Sequence, residues 1–151
     1  MRTYLVVIDE TPEAGVALRF AARRAAKTGG AVQILAMVAP VEFVGLGGVQ
    51  ATMEEEARQH AEALVASAAG LLSEEAGLHP SIVVEHGDPV AAIQRTIAAN
   101  PEVGALVLGA AASGAPGPLV SHFAGVAAGQ MPCPVMVVPG ALSEAALDRL
   151  S

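Results

Sequence analysis

The residues with the chemistry to hold a ligand fall in two places. The first is the loop Gly109 to Pro118, rich in Gly, Ala and Pro and carrying Ser113, Gly114 and Gly117. It separates the apolar run Ala105–Leu108 from a short apolar helical stretch that holds Ser121 and His122. Small residues between a strand and a helix let phosphate oxygens approach backbone N–H groups at the helix start. The alternative is a tight strand-to-helix connection with glycine-dependent dihedrals. The second place is Asp9, at the end of the apolar run Tyr4–Ile8. Its carboxylate could accept hydrogen bonds from an adenine or a ribose, or cap its own turn. His122 could contact phosphate or titrate near neutrality, and it also reads as a plain surface imidazole.

Other chemistries find little support. Gly109-x4-Gly114 is followed by Ala115-Pro116 and not by Lys-Ser, so it is no P-loop. No Lys or Arg stands between Arg95 and Arg149, so any phosphate on this loop would meet N–H groups and hydroxyls without a local cation. A metal ion, or basic residues from elsewhere in the chain, would have to offset the charge. His60, His79 and His86 are scattered and pair with no Cys, Asp or Glu at metal-ligand spacing. Cys133, flanked by Pro132 and Pro134, has no cation beside it and reads as a small buried residue. No Ser sits in a Gly-x-Ser-x-Gly context. These residues point to a binding protein and give no sign of an enzyme.

The elements that must position these residues follow from composition and period. The chain has 151 residues, enough for one domain. It is 53% hydrophobic but only 3% aromatic, so the core must be built from Ala, Val, Leu, Ile and Met. A net charge of −7 argues against nucleic-acid binding, which needs phosphate neutralisation. One cysteine excludes an internal disulfide and suits a reducing, cytoplasmic compartment. The apolar tracts are broken by Pro and Gly into strand-length runs, and no membrane span or signal peptide is predicted.

Tyr4–Ile8 reads as a strand buried on both faces. Thr11-Pro12-Glu13 starts a helix, with Thr as N-cap and Pro at the first position. Its apolar stripe is Ala14, Ala17, Leu18, Ala21 and Ala25, with Arg19, Arg23 and Lys27 outside, and Gly29-Gly30 ends it. Val32–Val38 is the second strand. Ala39 to Gln50 is an apolar loop, read as tucked over the core, packed on a partner or forming a ligand lid. Ala51–Ala76 has helical period and stops at Gly77. Ser81–Glu85 is the third strand, and Gly87-Asp88-Pro89 repeats the turn, cap and helix-start device. Asn100-Pro101 ends that helix. Val135–Val138 is the last strand, and Ser143 to Leu150 is a final helical turn. Alternating strands and helices predict an α/β fold with a five-stranded parallel sheet, order 3-2-1-4-5, and helices on both faces. The turns after Ile8 and Leu108 then form one crevice at the topological switch point, beside Asp9 and Gly109.

The chain resembles the universal stress protein family over about Arg2 to Pro139. The resemblance rests on Val7-Ile8-Asp9, Gly87-Asp88-Pro89, Val107-Leu108-Gly109 and Pro132-Cys133-Pro134-Val135, in that order and spacing. It implies a Rossmann-like domain, which we place over 1–140, and leaves 141–151 as a short C-terminal helical tail. It also implies a cytoplasmic stress-related role and a homodimer, which we expect to pair through the edge strand Val135–Val138. Nucleotide-binding members carry Gly-x2-Gly-x9-Gly-Ser/Thr after the fourth strand, and this chain fits that pattern in no register. The resemblance matches the adenine-side Asp to Asp9 and the first phosphate glycine to Gly109. Two readings therefore stand. One is a non-enzymatic protein with a degenerate adenine-nucleotide site. The other is a switch or slow ATPase that holds ATP or AMP with Mg²⁺ among Asp9, Val38, Gly109, Gly114, Gly117, Ser121 and His122.

Overall fold

The computed structural model describes residues 2–38, 47–76 and 79–151. The strands are β1 (Thr3–Ile8), β2 (Ala31–Val38), β3 (Ser81–His86), β4 (Val103–Ala110) and β5 (Val135–Pro139). They form one sheet in the order β3-β2-β1-β4-β5, with every pair parallel. The helices are α1 (Pro12–Thr28), α2 (Gly47–Ala76), α3 (Pro89–Ala99), α4 (Pro118–Ser121) and α5 (Glu144–Leu150). All six residues of β1 are buried, as a central strand flanked on both edges and covered on both faces requires.

Side-chain alternation divides the core into two layers. Tyr4, Val6 and Ile8 pack with the small apolar stripe of α1, with Ala68 and Leu72 of α2, and with Leu147 of α5. Leu5 and Val7 face the other way, toward Ala92, Ile93 and Ile97 of α3 and toward Val120 and Phe123. The alanine-rich stripe of α1 packs on this layer of the sheet in place of aromatic side chains.

Local signals shape most helix ends. Gly29 closes α1 at φ 68°, a left-handed conformation suited to glycine. Asp88 caps α3 by accepting from the Ala91 N–H at 3.1 Å, and Pro89 occupies the first position. Three expectations need correction or lie out of reach. The second helix begins at Gly47, so residues 47–50 are helical and the predicted loop is shorter at that end. The rest of that loop, 39–46, and the helix stop at Gly77 lie outside the described residues. After β4, four residues of α helix give way to a π-helical turn, His122–Val126, and a 3-10 turn, Ala128–Gln130. Gly125, at φ −110° and ψ −109°, breaks the helix there.

Arg19, Arg23 and Lys27, which the sequence places merely outside the apolar stripe of α1, fasten α5 to it. Arg23 bonds Glu144 at 2.5 Å and Asp148 at 3.3 Å, and Arg19 bonds Glu144 at 3.1 Å. Lys27 donates to the Asp148 carbonyl at 2.5 Å and to Ser151 Oγ at 3.0 Å. Leu147, 1% exposed, is the apolar anchor, and burying such a side chain contributes roughly 1.5–3 kcal/mol. Exposed ion pairs contribute less. Burial of Leu147 therefore holds α5 down, and the charges fix its direction.

Among the described residues no helix is long and apolar enough to cross a membrane. The Glu144 carboxyl is held below its ordinary 4.5, first by its hydrogen bond from Arg23 and further by the charges of Arg19 and Arg23, against a smaller burial cost. A carboxyl lowered on folding contributes fully above its unfolded value, and the contribution fades as pH falls through the folded one. Thermal melts of Glu144→Gln should lie slightly below wild type at pH 7 and converge with it near pH 3. A difference that persists in acid would contradict the clasp.

Candidate functional site

Parallel pairing of β1 with β4, in register Tyr4↔Ala105 to Val6↔Val107, brings the turn after Ile8 beside the end of β4, whose last residues Gly109 and Ala110 pair with β5 and so lie in the strand and not in the expected loop. The crevice forms at the predicted switch point. It is lined by Val7, Asp9, Thr11 and Glu13 from the β1 side and by Leu108, Gly109 and the segment Pro116–Val120 from the β4 side. Asp9, Gly109 and Gly117 therefore meet there. Gly114, Ser121 and His122 do not line it. Val38 ends β2 opposite His86, and its side chain lies outside the described residues.

The crevice is small. Its volume is 90 Å³, against roughly 300–1,000 Å³ for pockets that enclose small molecules. The cause is the first turn of α1. A Cβ placed on Gly109 would stand 2.1 Å from the Glu13 carbonyl oxygen and 3.0 Å from Glu13 Cβ. Gly109 is therefore the floor on which α1 rests, and the space a phosphate would need is filled by backbone. Gly140 takes part in the same packing: a Cβ there would meet the Ala110 carbonyl oxygen at 2.6 Å and Glu13 Cβ at 3.0 Å.

Asp9 is occupied locally. Its Oδ1 accepts from the Thr11 N–H at 2.9 Å and from the Thr11 hydroxyl at 2.5 Å. This is the turn-capping alternative for Asp9. It also explains why Thr11, predicted as the N-cap of α1, makes no side-chain cap bond. Glu13 adds a second carboxylate to the lining, and no Lys or Arg joins them. Two carboxylates without a cation disfavour a polyphosphate in the same space.

The loop Ala111–Gly117 turns on Gly114 at φ 74° and Gly117 at φ 115°, closed by the Ala111 N–H to the Pro116 carbonyl at 3.1 Å. The four residues of α4 align few peptide dipoles, so the loop ends on a weak anion platform. His122 packs edge-on against Phe123, ring centroids 4.9 Å apart, and Phe123, fully buried, anchors the π-helical turn. Burial pushes the Cys133 thiol up, only partly countered by a backbone hydrogen bond from Leu106, so it stays protonated. Among the described residues no group of three His, Cys, Asp or Glu could hold a metal ion.

Glu13 is the residue sequence reasoning missed. The signal was present in Pro12, which starts the helix only three residues past Asp9 and so forces its first turn over the sheet rim. The two glycines of the crevice and loop separate by substitution. Gly109→Ala must displace α1 and should cost about 1–3 kcal/mol or more in chemical denaturation. Gly114→Ala, in open space, should cost only about 1 kcal/mol for its left-handed backbone. Equal costs would contradict the packing role of Gly109.

The profile of the universal stress protein family matches residues 1–139. Among curated proteins nothing matches the sequence significantly. Among solved structures, universal stress protein UspA from Lactobacillus plantarum is 20% identical, with a TM-score of 0.74, over 91% of this chain and 97% of that one. A universal stress protein family member from Arabidopsis thaliana with AMP bound is 13% identical, with a TM-score of 0.60, over 92% of each chain. The universal stress protein from Archaeoglobus fulgidus in complex with dAMP is 17% identical, with a TM-score of 0.57, over 91% of this chain and 97% of that one. At these identities the likeness is one of fold.

Proposed function

Because the chain belongs to the universal stress protein family, we infer that it is a non-enzymatic, homodimeric stress-response protein whose adenine-nucleotide site is degenerate. The observation that carries this reading is the seating of Glu13 on Gly109, which leaves 90 Å³ on the β4 side of Asp9, where the phosphates of a nucleotide would have to lie; the larger cavity of 540 Å³ on the other side of Asp9 lies between α1 and α2, away from Gly109 and the loop after β4. The Thr11 bonds to Asp9, and a lining that holds two carboxylates and no Lys or Arg among the described residues, favour the same reading. The cytoplasm is the compartment that the single Cys133 suits.

A second reading, an ATP-binding switch or slow ATPase, draws on the adjacency of the turns after β1 and β4 and on the AMP and dAMP complexes of its structural neighbours. It would require the first turn of α1 to lift from Gly109 and Thr11 to release Asp9. Melting curves with millimolar ATP and Mg²⁺, and separately with AMP, distinguish the two. A site filled at about a hundred times its dissociation constant stabilises the native state by about 2.7 kcal/mol. The first reading expects a flat response. A raised melting temperature that Asp9→Ala abolishes would establish the second.

The dimer is assigned to β5. This strand pairs only with β4 among the described residues, and its outer edge presents unpaired backbone groups. Val137, 40% exposed, adds apolar surface beside that edge. Sedimentation at micromolar protein should give twice the monomer mass, and a monomer would remove this assignment.

A further inference from the structure

At the rim opposite the crevice, where α1 ends and β1 begins, a cluster of polar groups closes on a buried hydroxyl. Tyr4 is the only tyrosine of the chain, and it is fully buried. Two glycines shape its surroundings. A Cβ on Gly30 would stand 3.1 Å from Tyr4 Cε2, and one on Gly104 would stand 2.7 Å from Arg2 Cγ. They leave room for the ring and for the Arg2 stem, and Arg2 and Arg24 both hydrogen-bond the Tyr4 hydroxyl.

That hydroxyl also meets Thr28 Oγ1 at 3.1 Å. The Thr28 hydroxyl donates to the Arg24 carbonyl at 2.8 Å. The Tyr4 proton therefore points at Thr28 Oγ1, and the guanidiniums donate to the phenol oxygen. Thr28 is exposed, which gives the buried proton a path to water. Arg24 Nε is enclosed and finds no acceptor. Neither Arg2 nor Arg24 pairs with a carboxylate among the described residues, and Glu144 and Asp148 of α5 are held by Arg19 and Arg23. The phenol oxygen is the acceptor the two guanidiniums share, and a negative charge there would answer both. Burial pushes the hydroxyl up, but its hydrogen bonds with Thr28, Arg2 and Arg24 and the charge of Arg24 outweigh that and hold it below its ordinary 10.0.

We propose that Tyr4 is a proton-releasing latch: in alkali its phenolate becomes the shared counter-charge of Arg2 and Arg24 and clamps the last turn of α1 to the start of β1. The proton leaves through Thr28 to water, and the Thr28 hydroxyl then turns from the Arg24 carbonyl to donate to the phenolate. An acidic group lowered on folding adds stability as pH rises through its folded value, and the gain is complete above the unfolded one. The joint therefore tightens as pH rises.

The chain has no tryptophan, so the near-ultraviolet absorbance of phenolate reports Tyr4 alone. Titrated with base while circular dichroism follows the helices, the folded chain should form phenolate with a midpoint below 10.0. In Arg24→Met the midpoint should rise, and Arg24→Lys, which keeps the charge, should recover part of the fall. The melting temperature of wild type relative to Tyr4→Phe should climb with pH over the same range. A folded-state midpoint at or above 10.0, helices lost before phenolate appears, or a midpoint that Arg24→Met leaves in place overturns the proposal. If Arg24→Met does not fold, the wild-type midpoint and the comparison with Tyr4→Phe decide.

Discussion

The pairing of β1 on both of its edges is the constraint from which the rest of the domain follows. Thr3 to Ile8 bond β2 along one edge, Thr3 to Val6 pair with β4 along the other, and no residue of β1 is exposed. A strand so placed must be apolar throughout, which Tyr4–Ile8 is. Because β2 and β4 approach it from opposite sides, the chain winds away from β1 in both directions. That reversal fixes the only rim position where two distant turns can meet. The crevice, the seat of α1 and the outer position of β5 all derive from it.

Much of this was legible before any coordinates. Apolar runs of strand length alternating with helical period led to the α/β class and to the order 3-2-1-4-5. Gly87-Asp88-Pro89 announced a turn, a cap and a helix start, and each residue plays that part in the fold. These signals are local, and each rests on a backbone preference of the residue itself. What could not be read is what two residues far apart in sequence do to each other. Gly109 is visible as a glycine, but its need to be one comes from the carbonyl of Glu13, brought over it by the sheet. Thr11 has the composition of a cap, yet its hydroxyl finds Asp9 first. The segment after β4 has an apolar helical look, but Gly125 and Gly129 give it too little helix propensity to hold one regular form.

The tail shows an intermediate case. Arg19, Arg23 and Lys27 recur every four residues on α1, and Glu144 and Asp148 keep the same spacing on α5. Two matched stripes of opposite charge on helices that both pack on one layer of the core form a complementary pair. Three of the eight basic residues are spent there. Arg24, one position out of that stripe, lines a groove with β5 and pairs with no carboxylate among the described residues. The same helix thus presents a charged face clasped by α5 and, beside it, a cation set next to the Tyr4 hydroxyl.

The double pairing of β1 also has a kinetic side. On the ribosome β1 emerges first, yet the strand that completes its second edge emerges roughly a hundred residues later. Until then its apolar run has only β2 beside it, and half of its hydrogen-bonding groups stay open. Parallel contacts this distant in sequence cannot form before most of the chain is available. Folding should therefore be slow for a domain of this size, and the nascent chain should be at its most aggregation-prone just before β4 is released.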